Sequence, residues 1–298
     1  MTPTSKVLLL ALTTSLTAGR NIISKKTALG VSKQSDFYFS QAVLFFSALV
    51  LLTLTGVWGF KITSYLTVVY GLIYGVLLIL SQWMLTISLK TGNASICSVI
   101  YSLGFVFPTV IGAIVWDGGF TPLQGVGLAL ALGTILLSTF SNQNSDPAKG
   151  DKDKKDNKNL TFLPFILIAM LASGGLGLMQ KIQQKSVVAL ERDEFLIIAF
   201  IVATVVSLIF FAFYRQKPTL GFKQTAYTAV TGLCFGGANV LNTLLAGVIK
   251  SAIFFPVLNV SAILLCLILS IIIFKERLTL QKIGVMVLSI ATVLVFSV

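Results

Sequence analysis

The sequence predicts an all-α integral membrane protein with ten transmembrane helices, arranged as two inverted five-helix repeats. Three observations predict this fold class: the composition, the number and length of the apolar stretches, and an internal duplication. Mean hydropathy is +0.94, with 56% hydrophobic and only 11% charged residues. This composition excludes an ordinary soluble domain.

The apolar stretches have the length that a membrane crossing requires, because a hydrocarbon core of about 30 Å is spanned by about 20 helical residues. Backbone groups in lipid need internal partners, so each stretch is predicted to be a helix. The first stretch resembles a signal peptide, but its repeat counterpart lies mid-chain, so we expect it to be retained. The predicted spans are 5–24, 37–57, 64–89, 94–116, 121–140, 160–181, 195–214, 224–248, 251–274 and 279–298.

Short matches recur along the chain at a nearly constant offset of 157 to 159 residues. They divide the protein into a first repeat at 1–140, a linker at 141–159 and a second repeat at 160–298. Because five helices is an odd number, the second repeat enters the membrane from the opposite side, as in many secondary transporters. The matches include Ser35-Asp36-Phe37 with Asp193-Glu194-Phe195, Gly75 with Gly232, Gln82 with Asn239, Asn93-Ala94-Ser95 with Lys250-Ser251-Ala252, and Val126-Gly127 with Ile283-Gly284.

The basic residues predict the orientation. The linker holds five Lys and four Asp with no large apolar residue, so it is predicted to be flexible. Loops on its side of the membrane carry fifteen Lys and Arg, and the other side carries six. The positive-inside rule therefore places the linker in the cytoplasm and both termini outside. It also explains the net charge of +12 without nucleic acid as a partner.

The chain lacks the residues that most membrane enzymes need. It contains no His, and its ten carboxylates all fall in loops or at predicted helix ends, so no proton carrier lies within a span. Cys97, Cys234 and Cys266 are isolated, which predicts neither a disulfide framework nor a metal site. We therefore expect no enzymatic activity and no cofactor.

Arg20 is the most unusual residue within a span. It shares one face of the first predicted helix with Thr13, Thr17 and Ser24. It lies about 22 Å along that helix, where a charge costs about 3 kcal/mol unless it is paired or reaches water. We predict that Arg20 meets an anionic substrate group; the alternative is that its side chain extends to the interface.

Amide side chains within spans are the second group of candidates. Asn21 and Gln180 occupy equivalent positions of the two repeats, as do Gln82 and Asn239, and Asn242 lies one turn after Asn239. Amides in lipid must be satisfied, so they are predicted to face the helix bundle. They either contact substrate or bond one helix to another.

Other residues have a structural alternative of similar weight. Tyr74 and Tyr101 are predicted to offer ring faces and hydroxyls to a substrate, with packing as the alternative. Asn259 follows Pro256 and either contacts substrate or repairs the proline kink. Lys181 is predicted to be an interfacial anchor. Several glycines are predicted to allow either close helix approach or hinge bending: Gly71, Gly75, Gly232, Gly236, Gly174, Gly175 and Gly177.

The end of the ninth span carries Phe274-Lys275-Glu276-Arg277-Leu278-Thr279, followed by Gly284. A helix-end Glu before Arg-Leu and a downstream Gly resembles the drug/metabolite transporter superfamily in its ten-helix EamA-type form, distant kin of the small multidrug resistance exporters. Asp117 stands near that Glu position in the first repeat. The resemblance implies export or exchange of amino acids, nucleotide sugars, amines and other small metabolites in a bacterial plasma membrane. The small exporters carry a Glu in their first helix, which this chain lacks.

The expected function is therefore secondary transport of a small polar metabolite, which is neutral, zwitterionic or anionic, by uniport or exchange through alternating access. The substrate site is expected at the membrane midplane, between the repeats, in a monomer or a dimer. Within transport, the alternatives are a flippase for a lipid-linked group and an exporter of organic cations that uses aromatic faces. A membrane-embedded enzyme would need convergent catalytic groups, and a passive structural protein would not bind a small solute.

Overall fold

The computed structural model describes residues 2–28, 34–56, 59–91, 97, 100–143, 162–214, 218–274 and 279–297. The predicted motif residues Glu276, Arg277 and Leu278, the repeat match at 93–95 and linker residues 144–159 lie outside this part of the chain. Among the described residues, these α-helices have defined bounds: α1 Pro3–Ala28, α2 Gln34–Gly56, α3 Tyr65–Thr91, α4 Val106–Val115, α5 Pro122–Gln143, α6 Leu163–Lys185, α7 Arg192–Phe213, α8 Phe222–Val248, α9 Ser251–Phe274 and α10 Leu280–Ser297. Residues 97 and 100–102 are helical as well.

Six of these helices are long and apolar enough to cross a membrane, namely α2, α3, α6, α7, α8 and α9. The apolar segments at α4, α5 and α10 are shorter in the described part of the chain. The α1 helix, which carries Lys6 and Arg20, is not among the six. The chain is thus an all-α, multi-pass membrane protein.

The helices pack into two compact units. Unit 1 comprises Met1–Leu78 and Met179–Val248, and unit 2 comprises Ile79–Leu178 and Ile249–Val298. Each unit combines helices from both halves of the sequence, and α3 and α6 contribute residues to both. The units of packing therefore differ from the units of sequence repetition.

In unit 1, α2 and α7 run antiparallel along their whole length. At one end the rings of Tyr38 and Tyr214 stack with centroids 5.1 Å apart. Phe45 and Phe200 meet near the middle at 6.3 Å. At the other end, Gly56 of α2 faces Asp193 of α7, where a Cβ on residue 56 would lie 3.1 Å from that of Asp193.

Glycines let α3 and α8 approach this helix pair closely. A Cβ at Gly75 of α3 would lie 2.8 Å from the carbonyl oxygen of Ala199 in α7, and one at Gly232 of α8 would overlap the Leu44 carbonyl oxygen in α2. In addition, α1 packs along α8. The predicted role of these glycines in close helix approach is confirmed.

In unit 2, α9 packs against α4, α5 and α10, and α5 packs along α10. Gly127 of α5 faces the ring of Phe296, while Gly284 of α10 faces Leu137. Asp117 has a defined role at the start of α9, where its Oδ2 accepts a hydrogen bond from the backbone N–H of Ser251 at 2.5 Å. A carboxylate there complements the positive end of the helix dipole.

Candidate substrate-binding site

Three of the predicted site residues form one buried hydrogen-bond chain in unit 1. The Nε2 of Gln180 on α6 donates to the hydroxyl of Tyr74 on α3 at 2.8 Å. That hydroxyl donates to the Oδ1 of Asn239 on α8 at 2.6 Å. The Nδ2 of Asn239 donates to the carbonyl oxygen of Phe235 at 2.8 Å. Tyr74 is 0% exposed, and both amide residues are 5% exposed.

A backbone carbonyl fixes the direction of this chain. Because the Phe235 carbonyl only accepts, the amide nitrogen of Asn239 must face it, and the Asn239 oxygen then faces Tyr74. The tyrosine hydroxyl must donate its single proton to that oxygen. It therefore accepts from Gln180, whose nitrogen is also 3.3 Å from the Asn239 oxygen.

Because of this direction, the chain offers an acceptor to a ligand. One amide proton of Gln180 is shared between the Tyr74 hydroxyl and the Asn239 Oδ1, and the proton of Tyr74 is used inside the chain, whereas the Gln180 Oε1 has no partner among the described residues. A ligand group that binds there must be a donor, such as an ammonium or a hydroxyl.

Arg20, on α1, contacts α8 one helical turn before Asn239. Its Cζ is 4.0 Å from the centroid of the Phe235 ring, a cation–π contact of about 0.5–2 kcal/mol. The ring covers one face of the guanidinium, whose N–H donors point in its plane and suit a carboxylate or phosphate. Thr13 and Thr17 donate to carbonyls of their own helix, and the Ser24 side chain lies outside the described part of the structure.

The remaining predicted site residues occupy several environments. In unit 1, Asn21 lies on the exposed side of α1, and the half-buried Asn242 has an Oδ1 without a partner among the described residues. In unit 2, Gln82 is 7% exposed, and its Nε2 has no partner in the described part of the chain. The hydroxyls of Tyr101 and Ser81 lie 2.9 Å apart.

The kink-repair interpretation of Asn259 is wrong. Its Nδ2 donates to the carbonyl oxygen of Phe255 at 2.9 Å. Pro256 lies within α9 and leaves the carbonyl of Ala252 without its helical partner, because proline has no N–H. An asparagine side chain bonds the carbonyl four residues before its own position, so Asn259 reaches the wrong carbonyl for repair.

The prediction that Lys181 is an interfacial anchor is also wrong. Its side chain is 1% exposed, although a lysine that anchors a helix extends its ammonium to the aqueous interface. The physical reason is that α6 continues to Lys185, so Lys181 lies within the helix on a buried face.

Sequence reasoning missed two carboxylates that hold the segments leading into α8 and α3. Asp36, at the start of α2, accepts hydrogen bonds from the backbone N–H of Thr219 at 2.6 Å and from its hydroxyl at 2.7 Å. Glu194, at the start of α7, accepts from the backbone N–H of Lys61 at 2.8 Å. The recurrence of Asp36 as Glu194 was the available signal.

Glu191 strengthens the second of these contacts. Its Oε1 accepts from the backbone N–H of Thr63 at 3.0 Å and from the Thr63 hydroxyl, and its Oε2 accepts from the hydroxyl of Thr67. These bonds, above all the one from the Thr63 hydroxyl and next that from Thr67, hold the pKa of Glu191 below its ordinary value.

This lowered pKa predicts a loss of stability in acid. Glu191 contributes stability above its unfolded pKa of about 4.3, and the contribution is lost as the pH falls through the lower folded pKa. We expect the thermal midpoint of the purified protein to fall less steeply in acid for Glu191→Gln than for the wild type. Asp193→Asn, which removes a carboxylate paired with Arg192, is the control; identical curves for Glu191→Gln and wild type would contradict the assignment.

Comparison with known proteins identifies the fold alone. No family model matches the chain, and no curated protein matches it in sequence. A solved structure described as "Crystal structure of protein" superposes with a TM-score of 0.73 at 14% sequence identity, covering 99% of this chain and 96% of that one. At this identity, the likeness shows a shared fold and carries no information on substrate.

Proposed function

We propose that the protein is a secondary transporter of the drug/metabolite type, which moves a small polar metabolite by uniport or exchange. The observation that carries the proposal is the buried chain Gln180–Tyr74–Asn239 with Arg20 beside it. If the polar chain served stability alone, hydrogen bonds between helices would be enough, and no cation would be needed at the same level of the helices. A polar group and a cation close together are suited to binding a solute.

The proposed architecture is ten membrane spans in two inverted repeats. The antiparallel packing of α2 against α7 supports it, because these helices occupy the same position in the two halves. Paired contacts support it too: Gly75 meets Val202 and Gly232 meets Leu44, which lies 158 residues before Val202. An inverted repeat would produce such reciprocal contacts.

The chemistry of the two groups favours a zwitterion within the polar metabolites. Arg20 supplies in-plane donors for a carboxylate or phosphate. The Gln180 Oε1 accepts a hydrogen bond from an ammonium or hydroxyl on the same molecule. A simple organic cation would meet the positive charge of Arg20, so it fits less well.

Removal of the Arg20 guanidinium should therefore abolish binding of an anionic or zwitterionic substrate. A charge-assisted bidentate contact is worth about 1.5–3 kcal/mol, so Arg20→Ala is expected to weaken binding by at least about tenfold. Titration of the detergent-purified protein with the solute found by screening measures this. Lys6→Ala, which removes a half-buried lysine near the start of the same helix, is the matched control. Unchanged affinity in Arg20→Ala would leave Arg20 as a membrane anchor.

We further propose that the 141–159 linker is cytoplasmic, which the charge distribution favours. A single cysteine introduced there should react with a membrane-impermeant thiol reagent only after the cells are opened. Labelling of intact cells would reverse the proposed orientation.

A further inference from the structure

Two carboxylates hold equivalent segments of the two halves. Asp36 binds Thr219, three residues before α8, and Glu194 binds Lys61, four residues before α3. Asp36 and Glu194 are 158 residues apart, and so are Lys61 and Thr219. The carboxylates and the residues that they bind therefore both follow the repeat offset. We call the Asp36–Thr219 contact the α8 latch and the Glu194–Lys61 contact the α3 latch.

Both carboxylates are buried, which makes these contacts more than surface pairs. Asp36 is 0% exposed and Glu194 is 5% exposed. A buried carboxylate that loses its donors keeps its desolvation penalty. Each latch is therefore a strong constraint on the chain segment that it holds.

The latches lie at opposite ends of the antiparallel α2–α7 pair. Asp36 lies near the stacked rings of Tyr38 and Tyr214, and Glu194 follows Asp193, which faces Gly56. The distance between the ends is about 30 Å, because α2 rises about 1.5 Å per residue. That is the thickness of a hydrocarbon core, so each latch lies at one face of the membrane.

The latched segments lead into the two helices that supply Tyr74 and Asn239. Both helices also make close contacts at glycines: Gly75 of α3 packs against α7, and Gly232 of α8 packs against α2. Each helix thus has a close contact within its span and a carboxylate contact at its N-terminal end. Release of the α8 latch would free the start of α8 and leave its glycine contact in place. Release of the α3 latch would free Lys61, while Glu191 still holds Thr63 and Thr67.

We propose that Asp36 and Glu194 are side-specific latches: each fixes the start of one of the helices that carry the polar chain, at one face of the membrane, and is released independently of the other. Their role in alternating access rests on the proposed transport function, since only a transporter must open its two faces separately. The latches themselves are a property of the fold, and they are tested without a substrate.

Hydrogen–deuterium exchange of the full chain in lipid nanodiscs tests the proposal. Loss of the charge weakens the bond to the backbone N–H, so Asp36→Asn should raise amide exchange at 218–222 about tenfold and leave 59–65 unchanged. Glu194→Gln should raise exchange at the Lys61 amide and leave 218–222 unchanged, and the Thr63 amide stays protected by Glu191. Asp193→Asn, in the same turn of α7, should leave both segments unchanged.

Several outcomes would overturn the latches: a rise in both segments with either variant, no rise with either, or the same rise with Asp193→Asn. If Asp36→Asn fails to fold, Thr219→Val removes only the hydroxyl bond and should raise exchange at 218–222 alone. If exchange changes as expected but no solute binds, the latch proposal stands and the transport proposal fails. If a solute binds but the variants do not change exchange, the transport proposal stands and the latch proposal fails.

Discussion

Replacement of Gly232 by alanine is expected to destabilise the protein by about 3 kcal/mol, since overpacking of a close contact costs about 1–3 kcal/mol or more. A Cβ at this position would overlap the carbonyl oxygen of Leu44 and the hydroxyl of Ser47. Backbone atoms cannot turn away as a flexible side chain does, so α8 would have to separate from α2. Thermal unfolding of the purified variant in detergent measures the effect.

Gly237→Ala is the matched control on the same helix. A Cβ there would meet only the ends of two leucine side chains, at 3.3 Å from Leu16 and 3.6 Å from Leu51. These side chains can adjust by a few tenths of an ångström, and alanine favours helix by about 1 kcal/mol over glycine. We expect little change in stability. Equal destabilisation by both substitutions would show that the close approach of α8 to α2 is not the cause.

Substitution of Asn239 by leucine should disrupt the polar chain. It leaves the buried Tyr74 hydroxyl without an acceptor, which costs about 1–3 kcal/mol, while Gln180 keeps its bond to that hydroxyl. We expect a loss of about 2 kcal/mol in unfolding free energy, together with loss of solute binding. Thermal unfolding and ligand titration of the same preparation separate the two effects.

Asn242→Leu, one turn along α8, provides the comparison. The Asn242 Oδ1 has no partner among the described residues, so its removal should leave stability nearly unchanged. Tyr74→Phe combined with Asn239→Leu should show a coupling energy of about 0.5–3 kcal/mol. Strictly additive effects would mean that the hydroxyl–amide bond between Tyr74 and Asn239 contributes nothing to the folded state.

Much of the fold was predictable because apolar length and glycine spacing are local properties of the chain. Helices of the described residues coincide with the predicted apolar stretches, and six of these helices are long and apolar enough to cross a membrane. Gly71, Gly75, Gly232 and Gly236 all lie at close helix contacts. The fourth stretch was predicted to span 94–116; its described residues 97 and 100–115 are helical, with a 3₁₀ turn at Leu103–Phe105 before α4. Hydropathy does not register that change of helix type.

The candidate site was predicted in part. Tyr74, Gln180 and Asn239 were selected individually, because an amide or hydroxyl in a span needs a partner. Their mutual bonding was not predictable, since it depends on how three helices pack. Phe235 was missed as the partner of Arg20 because nothing in the sequence distinguishes it from the other phenylalanines, of which the chain has 22 in all.

The latches show a different limit of sequence reasoning. Asp36 and Glu194 were recognised as repeat-related, yet their partners Thr219 and Lys61 have dissimilar side chains. The bonds are made to backbone N–H groups, which every residue except proline possesses. Side-chain similarity therefore carries no signal for such a contact, and only the constant offset of 158 residues reveals it in retrospect.

The most direct test of the transport proposal is the thermal stability of the detergent-purified protein against metabolites grouped by charge. A ligand at 100 times its dissociation constant stabilises the folded state by about 2.7 kcal/mol. We predict that zwitterionic or anionic solutes raise the unfolding midpoint of the wild type and fail to do so for Arg20→Ala. Stabilisation by organic cations alone, or by no solute of any class, would contradict the proposal.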